Sequence, residues 1–161
     1  MIEQWAAALE ATDLAVALRN SVWTYPLVNA AHLLGVALLV GSIVPLDLRL
    51  LGAWRSVPLA PLGGFLTRIA GAGLVLAMIF GILLFVTRAS EYIASNIFIS
   101  KMVVVAVGTA NALALRMMWP AHVSEITATD RKTPARMQLA AGISLATWLT
   151  ALTLGRLVGY F

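Results

Sequence analysis

Four stretches of the chain, at 22–44, 66–86, 97–118 and 139–158, run for about 20 residues each with charged side chains only near their ends. At a rise of about 1.5 Å per residue, roughly 20 apolar residues cross the hydrocarbon of a bilayer as an α-helix. Lipid offers the backbone no hydrogen bonds. A helix satisfies its amides within the segment, whereas an open strand does not, and the Leu, Ala, Met and Gly content lacks the alternation of a membrane barrel. With 61% hydrophobic and 11% charged residues in a chain of 161, there is more apolar surface than a water-soluble core of that size buries. The expectation is an all-α membrane protein, an antiparallel four-transmembrane-helix bundle that forms one domain over 1–161.

Cationic residues divide unevenly between the two membrane faces. Arg49, Arg55, Arg68, Arg116, Arg131, Lys132 and Arg136 belong to the first and third connections, whereas Arg19, Arg88, Lys101 and Arg156 lie on the side of the termini. The positive-inside rule places those two connections in the cytoplasm and both termini outside, as for a multi-pass protein of a bacterial inner membrane with periplasmic termini. The net charge of +4 therefore speaks of orientation, and no nucleic-acid partner is expected. The absence of cysteine removes disulfides, thiolate metal sites and iron–sulfur clusters. No phosphate-binding glycine loop and no long soluble segment is present, which confines any chemistry to the membrane.

Residues 2–18 set Ile2, Trp5, Leu9, Leu14 and Val16 among Glu3, Glu10 and Asp13, the pattern of a short helix lying at the interface. These acidic residues are unlike the basic start of a signal peptide. Connections of about 20, 10 and 20 residues make successive spans antiparallel neighbours in an up-down-up-down arrangement. Small residues recur every four positions at Gly73, Ala77 and Gly81, at Ala37 and Gly41, and at Gly155 and Gly159. Such stripes let backbones approach, either inside one bundle or between copies; the last pair, near the outer end, points to a homo-oligomer.

An ionisable group at the centre of a span costs roughly 2.5–3.5 kcal/mol on insertion scales, so one that is present usually faces protein and has a task. His32 lies ten residues into the first span, at about 15 Å from its outer end. A neutral imidazole there either hydrogen-bonds another helix or ligates a metal, and haem iron is the natural candidate because a small bundle supplies the apolar slot haem needs. Met78, Gly108, Thr109 and Trp148 reach the same depth, which makes Met78 a candidate second axial ligand as well as ordinary packing. Lys101, one turn into the third span, and Arg88, at the outer end of the second, are candidates for pairing with haem propionates or with anionic lipid. His122, after Trp119-Pro120, belongs to the opposite interface and is too far from His32 to share an iron. Asp47 and Arg49 are two apart and do not face each other on a helix, so their partners are expected in Arg68, the third connection or another subunit. Asn111, deep in the third span, needs a hydrogen-bond partner.

Taken together, Tyr25-Pro26, His32-Leu33-Leu34-Gly35, Gly41-Ser42 and Asp47-Leu48-Arg49-Leu50-Leu51-Gly52, followed by Asn96, Phe98, Lys101-Met102 and Asn111-Ala112, form a pattern over about 23–118 that resembles a bacterial four-span inner-membrane family of unknown function. That family in turn is similar to the copper-resistance D proteins and the membrane-type protoporphyrinogen oxidases. Likeness to the oxidases implies haem or porphyrin binding at a histidine such as His32, and likeness to the copper proteins implies metal handling. No methionine-rich or second-histidine cluster surrounds His32, which disfavours copper.

The functional expectation is a membrane haem-binding or redox-associated protein. His32 would ligate haem b, with Met78, Lys101 and Arg88 as further cofactor-binding residues, and the partners would be the lipid bilayer, further copies of the chain and an electron-transfer partner. The alternatives are a cofactor-free oligomeric accessory bundle and copper or cation handling. No catalytic residue or substrate follows from the sequence.

Overall fold

A computed structural model describes the backbone of residues 1–129 and 133–160 and the side chains of 1–117 and 133–160. Among the described residues all regular structure is helical: α1 (Ile2–Glu10), α2 (Asp13–Asn20), α3 (Thr24–Leu51), α4 (Leu59–Thr87), α5 (Ala89–Ala94), α6 (Asn96–Thr129) and α7 (Ala135–Leu157). Four of these, α3, α4, the Asn96–Met117 part of α6, and α7, are long and apolar enough to cross a membrane. The protein is an all-α four-helix membrane bundle and a multi-pass membrane protein.

The helices outrun the apolar stretches that announce them. α3 continues through Pro45, whose missing amide releases only one hydrogen bond of the ladder, because Leu46 and Leu50 beyond it are buried and hold the last two turns in place. It stops at Gly52, which takes the left-handed conformation at φ 111°. There the amides of Gly52 and Ala53 bond back to the carbonyls of Arg49 and Leu48, a helix end that glycine adopts without strain. Pro58 precedes α4 and Pro134 precedes α7, where a residue lacking an amide costs the helix nothing.

α3 is the centre of the packing. It lies along α4 and α7, and α7 lies along α6, whereas α4 and α6 meet only sparsely. The expectation that each span packs on the next thus holds for α3 with α4 and for α6 with α7; α3 against α7 closes the assembly in place of a broad α4–α6 contact. Three apolar layers follow the bundle axis. Leu18, Val28 and Leu84 pack on the side of the termini, Leu39, Ile43, Ala70 and Trp148 in the middle, and Leu46, Leu50, Leu59 and Met137 at the far end.

The α3–α4 contact is close enough to exclude a methyl group. A Cβ at Gly35 would lie 2.5 Å from the Ala77 amide nitrogen, and one at Gly73 would lie 2.6 Å from that of Leu39. The stripe of Gly73, Ala77 and Gly81 is therefore an internal contact, made against Gly35. By contrast, Gly41 has open space where its side chain would be, and Ala37 is exposed.

The expected interfacial helix over 2–18 is two helices. Thr12 breaks it: its hydroxyl donates to the Leu9 carbonyl at 2.7 Å and accepts the Ala15 amide at 3.4 Å, ending one helix while capping the next. The pair folds back on the end of α4 and on α5, burying Ala6, Ala15 and Leu18 and leaving Ile2, Trp5 and Leu14 outward for lipid. Arg19 fastens this corner by donating to the carbonyls of Thr87 at 3.0 Å and Glu10 at 2.7 Å, while the Glu10 carboxylate accepts the Ser90 amide at 2.7 Å.

Candidate intramembrane histidine site

His32 sits half-buried one turn before Gly35, on the face of α3 turned to α4. Its Nδ1 is 2.8 Å from the Ala77 carbonyl oxygen. A carbonyl only accepts, so Nδ1 carries the hydrogen, and in the neutral ring Nε2 is left with a free lone pair. Among the described residues Nε2 makes no hydrogen bond. The imidazole lies against Gly81, where a Cβ would be 3.1 Å from Cε1 and 3.2 Å from Nδ1. The same small-residue stripe that brings the two backbones together thus provides both the carbonyl that holds the ring and the space it occupies.

Lys101 is the predicted cation whose charge reaches this ring. Its charge lies within electrostatic reach of His32, its ammonium is 6.0 Å from the centre of the Phe98 ring, and its stem covers Gly155, whose Cβ would meet Cε at 3.6 Å. Met78 shares the depth of His32 but not its face. α4 turns Ala77 and Gly81 to the imidazole, and Met78 points outward with 52% of its surface exposed. Arg88 stays at the membrane surface, paired with Glu91 at 3.3 Å with both side chains more than half exposed, a pairing worth little energy. The side chain of His122 lies outside the described residues. Asn111, read as needing a partner, donates to the Ala140 carbonyl at 2.9 Å and ties α6 to α7. Among the described residues no group of three or more His, Asp or Glu side chains is placed to hold a metal ion.

Of the partners expected for Asp47, Arg68 is not paired with it, and the third connection lies largely outside the described residues. Asp47 is buried to 1% exposure against α7, with Ser144 beside its carboxyl group. Among the described residues its Oδ2 has no hydrogen-bond partner, and neither has the Nε1 of Trp148, one turn beyond Ser144 on the same face of α7 and 3% exposed. Arg49 turns the other way, donating to the carbonyls of Val57 at 2.8 Å and Arg55 at 3.0 Å to fix the α3–α4 connection. Arg68 is exposed on α4. The register held the signal: Asp47 follows Ile43 by four residues and precedes Leu50 by three, so one helical stripe carries all three inward.

Comparison of the chain with protein-family models, with curated proteins and with solved structures gave no match.

Proposed function

We propose that this protein is an integral membrane haem-binding, redox-associated protein in which Nε2 of His32 is an axial ligand. The observation that carries the reading is the Nδ1 hydrogen bond to the Ala77 carbonyl. Metal-ligating histidines almost always donate their other ring N–H to a carbonyl or carboxylate, which fixes the tautomer, orients the ring and raises its basicity. The backbone of α4 does this for His32 in the absence of any acidic side chain. Gly81 keeps the ring against α4. Lys101 supplies a cation on the same side for a propionate, with Arg88 further out at the surface. When bound, haem b provides a one-electron couple. The chain would lie in a bacterial inner membrane with both termini periplasmic, and an electron partner would approach from that side, on which Lys101 and Arg88 lie.

The test is an absorption spectrum, oxidised and reduced, of gently solubilised protein carrying its native complement, beside that of the His32→Ala variant. A Soret band lost in the variant supports the reading; an empty spectrum of the parent protein, or a band that survives loss of His32, sinks it.

A second reading, an oligomeric accessory bundle without cofactor, draws support from Ala37 and Gly41, small residues on the outer surface of α3 with room for a neighbouring helix. Crosslinking in bilayers before and after Gly41→Leu tests it, and an unchanged monomer population would count against it.

A further inference from the structure

The pairing of α3 with α7 contains polar atoms that packing alone leaves unexplained. Asp47 is 1% exposed and lies deep in the contact, between Leu46 and Leu50 of its own helix and opposite Ser144, with Met137 and Ala141 of α7 in the same apolar layer. α4 brings Leu59 and Leu66 to this layer, and its nearby cation, Arg68, is exposed. Arg49, the charged neighbour on α3, spends its guanidinium on the carbonyls of Arg55 and Val57. Arg116 of α6 and Arg136 of α7, the cations nearest this layer on the other two helices, are exposed. Among the described residues the only salt bridge is that of Arg88 with Glu91, and none of these cations is paired with the carboxylate. Burying an ionised carboxylate without a counter-charge costs far more than a bundle of this size offsets, and the charge must be neutralised by something the site takes up.

What it takes up must fit the available atoms. A metal ion needs several oxygen ligands, and among the described residues Ser144 is the hydroxyl beside the carboxyl group, with leucine, methionine and alanine filling the rest of the layer. A proton needs one oxygen. Oδ2 is that oxygen, since among the described residues it has no hydrogen-bond partner. The α3 helix reaches Asp47 after 23 residues from Thr24, about 35 Å of rise, which sets the group at the membrane boundary opposite the termini rather than at the midplane.

We propose that Asp47 is a buried proton-binding group, taking up and releasing one proton at Oδ2 in the α3–α7 contact, with Ser144 as its positioning partner. The protonated acid leaves the contact neutral and closed. Loss of the proton places a bare negative charge between α3 and α7, one turn from the unpartnered indole N–H of Trp148, and loosens the contact on that side. The site is separate from His32, and the proposal does not depend on a bound haem.

The test uses the full chain in lipid bilayers, cofactor-free and without sodium, followed by infrared difference spectroscopy across a pH titration. The expected result is the carbonyl-stretch band of a protonated carboxylic acid that disappears reversibly as pH rises, is absent in Asp47→Asn, and titrates at a shifted midpoint in Ser144→Ala. Tryptophan emission provides a second readout, with a pH-dependent change lost in both Asp47→Asn and Trp148→Phe. If Asp47→Asn fails to fold, Ser144→Ala and Trp148→Phe still decide the matter, because neither removes a charge. Absence of a titrating acid band in the parent protein overturns the proposal. So does a band unmoved by these substitutions, or one abolished by sodium at constant pH, which would mark a cation site instead.

Discussion

Replacing Gly35 by alanine is the sharpest probe of how this bundle is held together. The added methyl carbon would lie 2.5 Å from the Ala77 amide nitrogen, 2.8 Å from the Gly73 carbonyl oxygen and 2.9 Å from the Ala77 Cα. All three are backbone atoms, which no rotamer change can move aside. Ordinary contact begins near 3.4 Å, so α3 and α4 must separate locally by about 0.9 Å. Overpacking of this kind costs about 1–3 kcal/mol. The separation falls one turn from His32, where it would lengthen the 2.8 Å bond to the Ala77 carbonyl to about 3.7 Å, beyond hydrogen-bonding range, for a further loss of about 0.6–1.7 kcal/mol. The expected total is about 2–5 kcal/mol, read by reversible unfolding in mixed micelles or by steric trapping in bilayers. Gly41→Ala is the control, because nothing lies within 4 Å of its added carbon, and it should change stability by less than about 0.5 kcal/mol. If Gly35→Ala unfolds together with Gly41→Ala, the close helix crossing is not what holds α3 to α4. If the variant is destabilised yet keeps every His32-dependent property, the coupling between the crossing and the imidazole is refuted.

Arg19→Ala removes both donors that tie α2 to the ends of α1 and α4, at 2.7 and 3.0 Å. Because the side chain is exposed, the loss should be about 1–2 kcal/mol, seen as faster amide exchange across α1 and α2 with the four spans unchanged; uniform protection would argue against the clamp. Tyr92, packed at 6.1 Å from Phe85 and 4.9 Å from Phe98 between ring centres, has its phenol held above the usual value of 10 by burial, with Tyr25 and Glu91 adding to the shift and Arg88 opposing it. A raised value in the folded state means stability that is fully present below pH 10 and is lost as pH climbs through the folded value. Tyr92→Phe should therefore flatten the alkaline limb of a stability profile, and an unaltered limb would place the loss elsewhere.

Four spans were legible in the sequence because lipid makes backbone satisfaction and apolar length decisive, and both are local properties. The polar residues at His32, Lys101 and Asn111 were legible for the same reason, since each stands out against an apolar background. Facing was not legible. In water a helix shows its buried side by being apolar there and polar elsewhere, but lipid tails are as apolar as leucine, and the exposed Leu33, Val75, Ile82 and Met117 look like core residues on paper. Only the tertiary structure therefore decided that Gly35 meets Gly73 while Gly41 faces outward, and that Met78 turns away from the histidine at its own depth. The same holds for the two N-terminal helices that fold onto α4 and α5. Asp47 is the clearest case: its charge and the apolar residues around it were written in the sequence, but the helix that covers it and the Ser144 beside it come from how α3 and α7 dock.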